Sequence, residues 1–590
     1  MTTTNKNDNK GLYIAMIIFT MVCITSCTKV LDVKNVSEVN QEDIFGDPKA
    51  IQVAINYIYS IAEPDNYGGS FPNTREFRYM VGIISDEARP TLTYSTATNG
   101  INNGVSFTVD LAPFQLWPYN TIRQINELLE KINTLYILPD GSAQSTIDER
   151  NGLTGQLKFW RAYRYWRMVQ VFGGVPIVDK VLDENSPELY GARNSQEECF
   201  QFIKKDLEEA ATLLPVVAAQ RGMITKGAAL GLLSRVMINR ASPLFNPSNN
   251  PQYWKDASTS AKALIDLNAY SLGTSSDFGQ WYFNKDSKET IWQVEFVLGK
   301  KEHGFDAANH SWYQLQGDGV ANCPTEELVE SFPMLNGKAI TDPTSGYDPN
   351  DPYVHRDPRL KATAITNGDS SFGGTPTYTY LSEGANVPGN YMYNPNQLNG
   401  FYATGTGYYL RKGMDARLLV TKNYFYGRGS YSNWIEMRLA EVLMNYAESE
   451  NETGNTDAAY EILKQIRQRA GIEAGSDGLY GVPAGLSVAQ MRSFLQNERF
   501  IEFAFENKRY WDLRRWRLSE TVLSQPTHCI SIQKKANTPP TANGSDYTFT
   551  VVTSRHDITY PPVFLEKFYF LPLPKAQLQL NPKLAQNPLW

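Results

Sequence analysis

The sequence predicts a mainly α-helical protein in which stacked helix pairs form a scaffold and a large irregular region, with few short strands, packs on it. Three observations carry this. Apolar residues recur with a helical period in long stretches on both sides of the middle of the chain. Glycines close several of those stretches. The segment from about 270 to 430 is rich in Gly, Pro, Asn, Asp and Tyr and shows no helical period. At 590 residues, with 42% apolar and 20% charged residues, the chain is long enough to bury a large core.

The first residues read as an address. Lys6 and Lys10 precede an apolar run from Leu12 to about Ile24, which suits a secretory signal and is too short to span a bilayer comfortably. The run ends at Ile24-Thr25-Ser26-Cys27, an aliphatic residue and two small ones before a cysteine, which resembles a bacterial lipobox. Cys23 competes poorly because Val22 before it is not small. Residues 1–26 are thus a lipoprotein signal peptide, and Cys27 becomes the acylated N-terminus of a single domain, 27–590. Thr28, rather than Asp, follows the cysteine, which favours the outer membrane over inner-membrane retention.

Helices are expected over Pro118–Ile132, Thr146–Val171, Ser195–Leu214, Thr225–Ala241 and Tyr253–Leu267, then over Trp434–Glu450, Asp457–Ala470 and Ser487–Arg517. They place the scaffold at about 40–270 and 430–520, with a C-terminal segment at 520–590. The clearest pair lies near residue 450. Ile435, Leu439, Val442, Leu443, Tyr446 and Ala447 share one face, Gly454 stops that helix, and Asn455 or Thr456 caps the next. Ala459, Ile462, Leu463, Ile466 and Ala470 repeat the pattern up to Gly471. Two antiparallel helices joined by a short turn make a tetratricopeptide-like unit of about 34 residues.

Composition narrows the function. A net charge of −7 with no basic block argues against a nucleic-acid partner, since phosphate binding needs clustered Lys and Arg. The mean hydropathy of −0.39 argues against a multi-span membrane protein. Beyond Cys23 and Cys27 only Cys199, Cys323 and Cys529 remain, too few for a disulfide framework and not at zinc spacing. Nucleophile-elbow, zincin, Cys-x-x-Cys and P-loop motifs are all absent, and no cofactor is implied. The five histidines, at 303, 310, 355, 528 and 556, have no ligand spacing. Asp348-Pro349-Asn350-Asp351-Pro352 departs from the EF-hand template at Pro352 and reads as a solvated turn, so no metal site is assigned. Glu498, Arg499, Glu502, Glu506, Arg509, Asp512, Arg514 and Arg515 look catalytic, but helical spacing reads them as an ion-pair network locking the C-terminal helices.

Several blocks together resemble the SusD/RagB family. They are Arg161-Ala162-Tyr163-Arg164-Tyr165-Trp166 with the Phe172-Gly173-Gly174-Val175-Pro176 turn, Leu439–Glu448 with Ile466–Gly471, and Glu498–Trp516. Arg356-Asp357-Pro358-Arg359 and the terminal block from Leu573-Pro574 to Asn587-Pro588 are further matches. The resemblance implies a non-enzymatic, cell-surface glycan-binding lipoprotein. It would deliver oligo- or polysaccharide to a SusC-like TonB-dependent outer-membrane barrel. A peptide-binding RagB-like subunit and a surface enzyme acting on glycans are the alternatives. The resemblance also places the ligand face on loops after the first helices and in the irregular middle. Two stretches fit, Ser85–Tyr94 and His310–Gln314, and from them Arg89, Tyr94, Trp312 and Tyr313 are expected to form an aromatic platform with a polar edge.

Overall fold

Several of the long helices begin where the sequence supplies a cap. The computed structural model describes residues 47–64, 80–90, 114, 116–136, 138–310, 321–372, 375–380, 404–415, 418, 429–535, 541 and 543–590. Asp47 accepts from the amide of Lys49 at 2.9 Å at the head of the helix Pro48–Ala62. Thr225 caps Lys226–Ala241 and Asn250 caps Pro251–Ile265. Ser195 with Glu198, and Ser487 with Gln490, form reciprocal capping boxes before Gln196–Leu213 and Val488–Glu502. Each cap satisfies amide donors that have no partner inside the helix. Gly471, at φ +88°, closes Thr456–Ala470 in the left-handed conformation that a side chain disfavours.

The helices then stack in chain order. Gln144–Phe172 packs on Gln196–Leu213, that helix on Lys226–Ala241, and that one on Pro251–Ile265. The next member, Leu439–Glu452, lies on the far side of the loop-rich region, and it packs on both Pro251–Ile265 and Thr456–Ala470. The helical stack therefore continues across an excursion of the chain, confirming a mainly α, tetratricopeptide-like scaffold. The antiparallel strands Thr290–Val294 and Trp434–Arg438 pair where the excursion opens and closes. Among the described residues every sheet has two strands.

One apolar cluster runs from Ile51 to Leu584. At its heart the aromatic face of Gln144–Phe172 meets the first of those paired strands. Phe159, Trp160 and Tyr163 all pack edge-on to Trp292, with ring centroids 5.0, 5.9 and 5.2 Å away. The Gly173-Gly174 turn sits beneath the C-terminal block. A Cβ on Gly174 would come within 2.0 Å of the carbonyl oxygen of Asn194, so only glycine fits. Asn587 donates to the carbonyls of Phe172 and Leu571 at 3.1 and 2.7 Å, and Arg193 donates to Gly174 and Phe172 at 2.6 Å each. Two blocks read separately from the sequence thus clamp one another.

Two expectations are corrected, and one helix is added. Trp434–Arg438 is a strand, with its residues buried on both faces, and the helix starts at Leu439. Ile435 fell on the helical period by coincidence. The helix expected over Ser487–Arg517 breaks after Glu502 and resumes at Arg509, because Phe505 and Asn507 take φ of +58° and +57°. Finally, Pro48–Ala62, with Ile51, Ile55, Ile58 and Ala62 buried on one face, is a helix the sequence reading did not mark.

Candidate ligand site and family

The charged motif Glu498–Arg515 is internal. Arg359 reaches Glu498 and Glu502 at 2.8 Å each. Arg438 reaches Glu289 at 2.7 Å, Glu502 at 2.6 Å and Glu506 at 2.9 Å. Lys412 meets Glu506 at 2.6 Å, Arg467 meets Glu498 at 2.9 Å, and Arg469 also pairs with Glu502. Burial opposes ionisation of Glu502, but Arg469, Arg438 and Arg359 together hold its carboxyl well below the ordinary range. With its acids ionised and paired, the cluster is a scaffold lock as expected, but not through the helical spacing: Arg509 pairs with Asp86, and most of the other partners come from outside the motif. Asp348 accepts from the amide of Asn350 at 2.8 Å, as in a solvated turn. Among the described residues no group of His, Cys, Asp and Glu is arranged to hold a metal. Cys199, Cys323 and Cys529 are buried and form no disulfide.

The two stretches expected to carry ligand contacts are brought together at their bases. Ala88–Arg89 pairs antiparallel with Cys323–Pro324. The amide of Met80 donates to Asn322 at 2.9 Å, Asn322 donates to Asn309 at 2.8 Å, and the amide of Ala321 donates to the carbonyl of Ala308 at 2.9 Å. The chain before residue 91 and the chain on both sides of 311–320 therefore meet at one hydrogen-bonded base. Tyr94, Trp312, Tyr313 and Cys27 lie outside the described residues. Asn309 and Asn322, which hold the base, carry no sequence signal that would have singled them out among the polar residues of a loop.

Arg89 is placed differently from the expectation. It is only 4% exposed, and its Nε donates to Asp557 at 2.8 Å while Nη1 donates to the carbonyls of Ala88 at 2.9 Å and Ile83 at 3.3 Å. Asp557 in turn accepts from the amide of Thr527 at 2.7 Å. Arg89 thus ties the base to the C-terminal segment and presents no guanidinium to a ligand. Asp86 is likewise internal, paired with Arg509 at 2.7 Å. Glu87 accepts from the amide of Phe505 at 2.9 Å, and burial pushes its carboxyl up to about 7.

A family model described as "SusD family" matches residues 288–590, more than half of the chain. The chain belongs to the SusD family. A second model, described as starch-binding and associating with the outer membrane, matches residues 29–238. Among SusD-family relatives, SusD-like protein P2 of Formosa agariphila is 24% identical over 82% of this chain and 86% of its own. SusD-like protein P25 of the same organism is 21% identical over 97% and 98%. A crystal structure of a SusD-like protein from Bacteroides fragilis superposes with a TM-score of 0.70 at 24% identity, covering 93% of this chain and 98% of that one. A laminarin-binding SusD-like protein superposes with a TM-score of 0.59 at 19% identity, covering 92% and 99%. These likenesses establish a shared SusD fold. No helix among the described residues is long and apolar enough to cross a membrane.

Proposed function

We propose that this protein is a lipid-anchored, surface-facing outer-membrane lipoprotein that captures oligo- or polysaccharide and delivers it to a SusC-like TonB-dependent transporter. The observation that carries the reading is the common base from which the chain enters the Tyr94 and Trp312–Tyr313 stretches. Flat aromatic side chains suit the apolar faces of sugar rings, and a hydrogen-bonded base shared by the two stretches reduces the entropy lost on binding. The ligand class is supported by the second family model, described as starch-binding, and by the laminarin-binding structural neighbour. The reading assigns no chemical step to the protein, so release of reducing ends from a bound glycan would overturn it.

Each aromatic face in contact with a ring contributes only about 1 kcal/mol beyond the area it buries, so affinity is expected to be micromolar or weaker and shared among residues. Calorimetry with laminarin and starch oligosaccharides tests this. Trp312→Ala should weaken binding several-fold and leave the melting temperature nearly unchanged. The control is Trp166→Ala, in the core, which should cost ~3–5 kcal/mol of stability. If Trp312→Ala lowers stability strongly and spares binding, the platform lies elsewhere.

A further inference from the structure

A cleft of about 350 Å³ opens between the Asp348–Arg356 turn, the helix Pro358–Thr363 and the hairpin His528–Lys534/Tyr547–Thr553. Its apolar wall is Tyr353 and Phe549, whose rings meet edge to face with centroids 5.6 Å apart. Most of the charged groups around it are committed elsewhere. Arg356 donates to the carbonyls of Pro352, Val329 and Phe332, Asp357 pairs with Arg359, and Asp369 pairs with Arg411. Asp351 and Lys361 are different: among the described residues neither side chain makes a hydrogen bond or ion pair, and both line the cleft. One acceptor and one strong donor thus stand beside an aromatic wall.

The backbone holds this arrangement firmly. His355, also in the lining, takes φ +53°, a left-handed conformation of a non-glycine residue that costs of the order of 1 kcal/mol and persists only where its surroundings enforce it. Its carbonyl accepts from the amide of Leu335 at 2.7 Å, which fixes that turn. On the opposite lip, a Cβ on Gly544 would lie 2.2 Å from the Asp351 carboxylate and 3.0 Å from its Cα, so the turn and the hairpin are in direct contact through glycine.

We propose that this cleft is a second carbohydrate subsite, taking about one or two neutral sugar rings. Its volume is at the small end of ligand pockets, and half-buried aromatics with a few convergent polar groups are the usual lining of such sites. A neutral polyol offers both hydroxyl donors for Asp351 and hydroxyl acceptors for Lys361, whereas a purely anionic ligand would meet Asp351 and Asp369. The inference rests on the glycan-binding reading above.

The test uses the full chain in mild detergent, with laminaritetraose and maltotetraose as probes. Hydrogen exchange is followed in peptides covering 351–369 and 543–550, and affinity is read from the saturation of protection. Protection of both peptides should persist in Trp312→Ala. Lys361→Ala, on an exposed helix position, and Asp351→Asn should each weaken it about tenfold, the loss expected for a hydrogen bond to a charged group. Protection that vanishes in Trp312→Ala, or is indifferent to both cleft variants, overturns the second subsite and leaves the first intact. Absence of any binding to the unmodified chain overturns both readings.

Discussion

Glu87, Asp306 and Glu326 flank the base of the candidate ligand loops, and they carry a pH dependence. Burial pushes each carboxyl up to about 7, against the pull of the Phe505 amide on Glu87, of Ser430 on Asp306 and of Tyr408 on Glu326. A carboxyl raised in the folded state binds more protons folded than unfolded between its unfolded value and about 7. Stability is then lost as pH rises through that window, by ~1 kcal/mol per pH unit for each group. His303 and His556, held neutral by burial, act in the opposite sense below their ordinary value near 6.5 and lose that influence above it. The melting temperature is therefore expected to fall most steeply between about pH 6 and pH 7 and to level off above that. Glu87→Gln keeps an acceptor for the Phe505 amide and removes the charge, so it should flatten that slope and raise stability at pH 8. Thermal scans at fixed ionic strength check this, and a slope unchanged in the variant would refute the role of Glu87.

At the scale of elements, the break between Val488–Glu502 and Arg509–Arg515 is the feature that a helical period could not reveal. It lets Glu502 and Glu506 both reach Arg438 at the end of the strand Trp434–Arg438, which joins the excursion to the scaffold. Arg438→Ala would leave Glu289, Glu502 and Glu506 buried with their shared guanidinium gone. Removing one partner from such a buried set costs ~3–5 kcal/mol. Arg438→Lys is expected to recover little of that, since one ammonium cannot reproduce the forked contacts to three carboxylates. Denaturant unfolding of the two variants measures both numbers, and near-normal stability of the alanine variant would show the network to be dispensable. The helix boundaries themselves were legible: Ser195, Thr225, Ser487, Gly173 and Gly471 act through contacts within a few residues of themselves. Trp434–Arg438 was misread because a short apolar run fits either period, and only its pairing with Thr290–Val294 decides between them.

For the whole molecule, the proposed function depends on an anchor and a partner. Several acyl chains on one cysteine, at about 0.8 kcal/mol per buried CH₂, hold a protein at a membrane stably. Cys27→Ala should therefore move the protein from the membrane fraction to the soluble one, and continued partitioning into the detergent phase would sink the lipoprotein assignment. A protein that lids a barrel should also co-purify with a large outer-membrane protein in mild detergent. Recovery of a lone monomer from native membranes would count against delivery to a transporter.

The cap expected before Thr456–Ala470 makes no side-chain hydrogen bond, but the sequence by itself determined the helical class, the helix starts at Ser195, Thr225 and Ser487, the family blocks and the structural nature of the charged motif. All of these rest on period, spacing and residue type within short windows. Only the tertiary structure decided which residues those blocks meet. Arg89 looks like a surface arginine in a polar loop until Asp557, 468 positions away, is folded against it. Glu502 looks like one acid of a helical face until Arg359, Arg438 and Arg469 converge on it from three other elements. The physical reason is the same in both cases: hydrogen-bond caps and amphipathic periods act over a few residues, whereas burial and charge pairing are properties of neighbours in space.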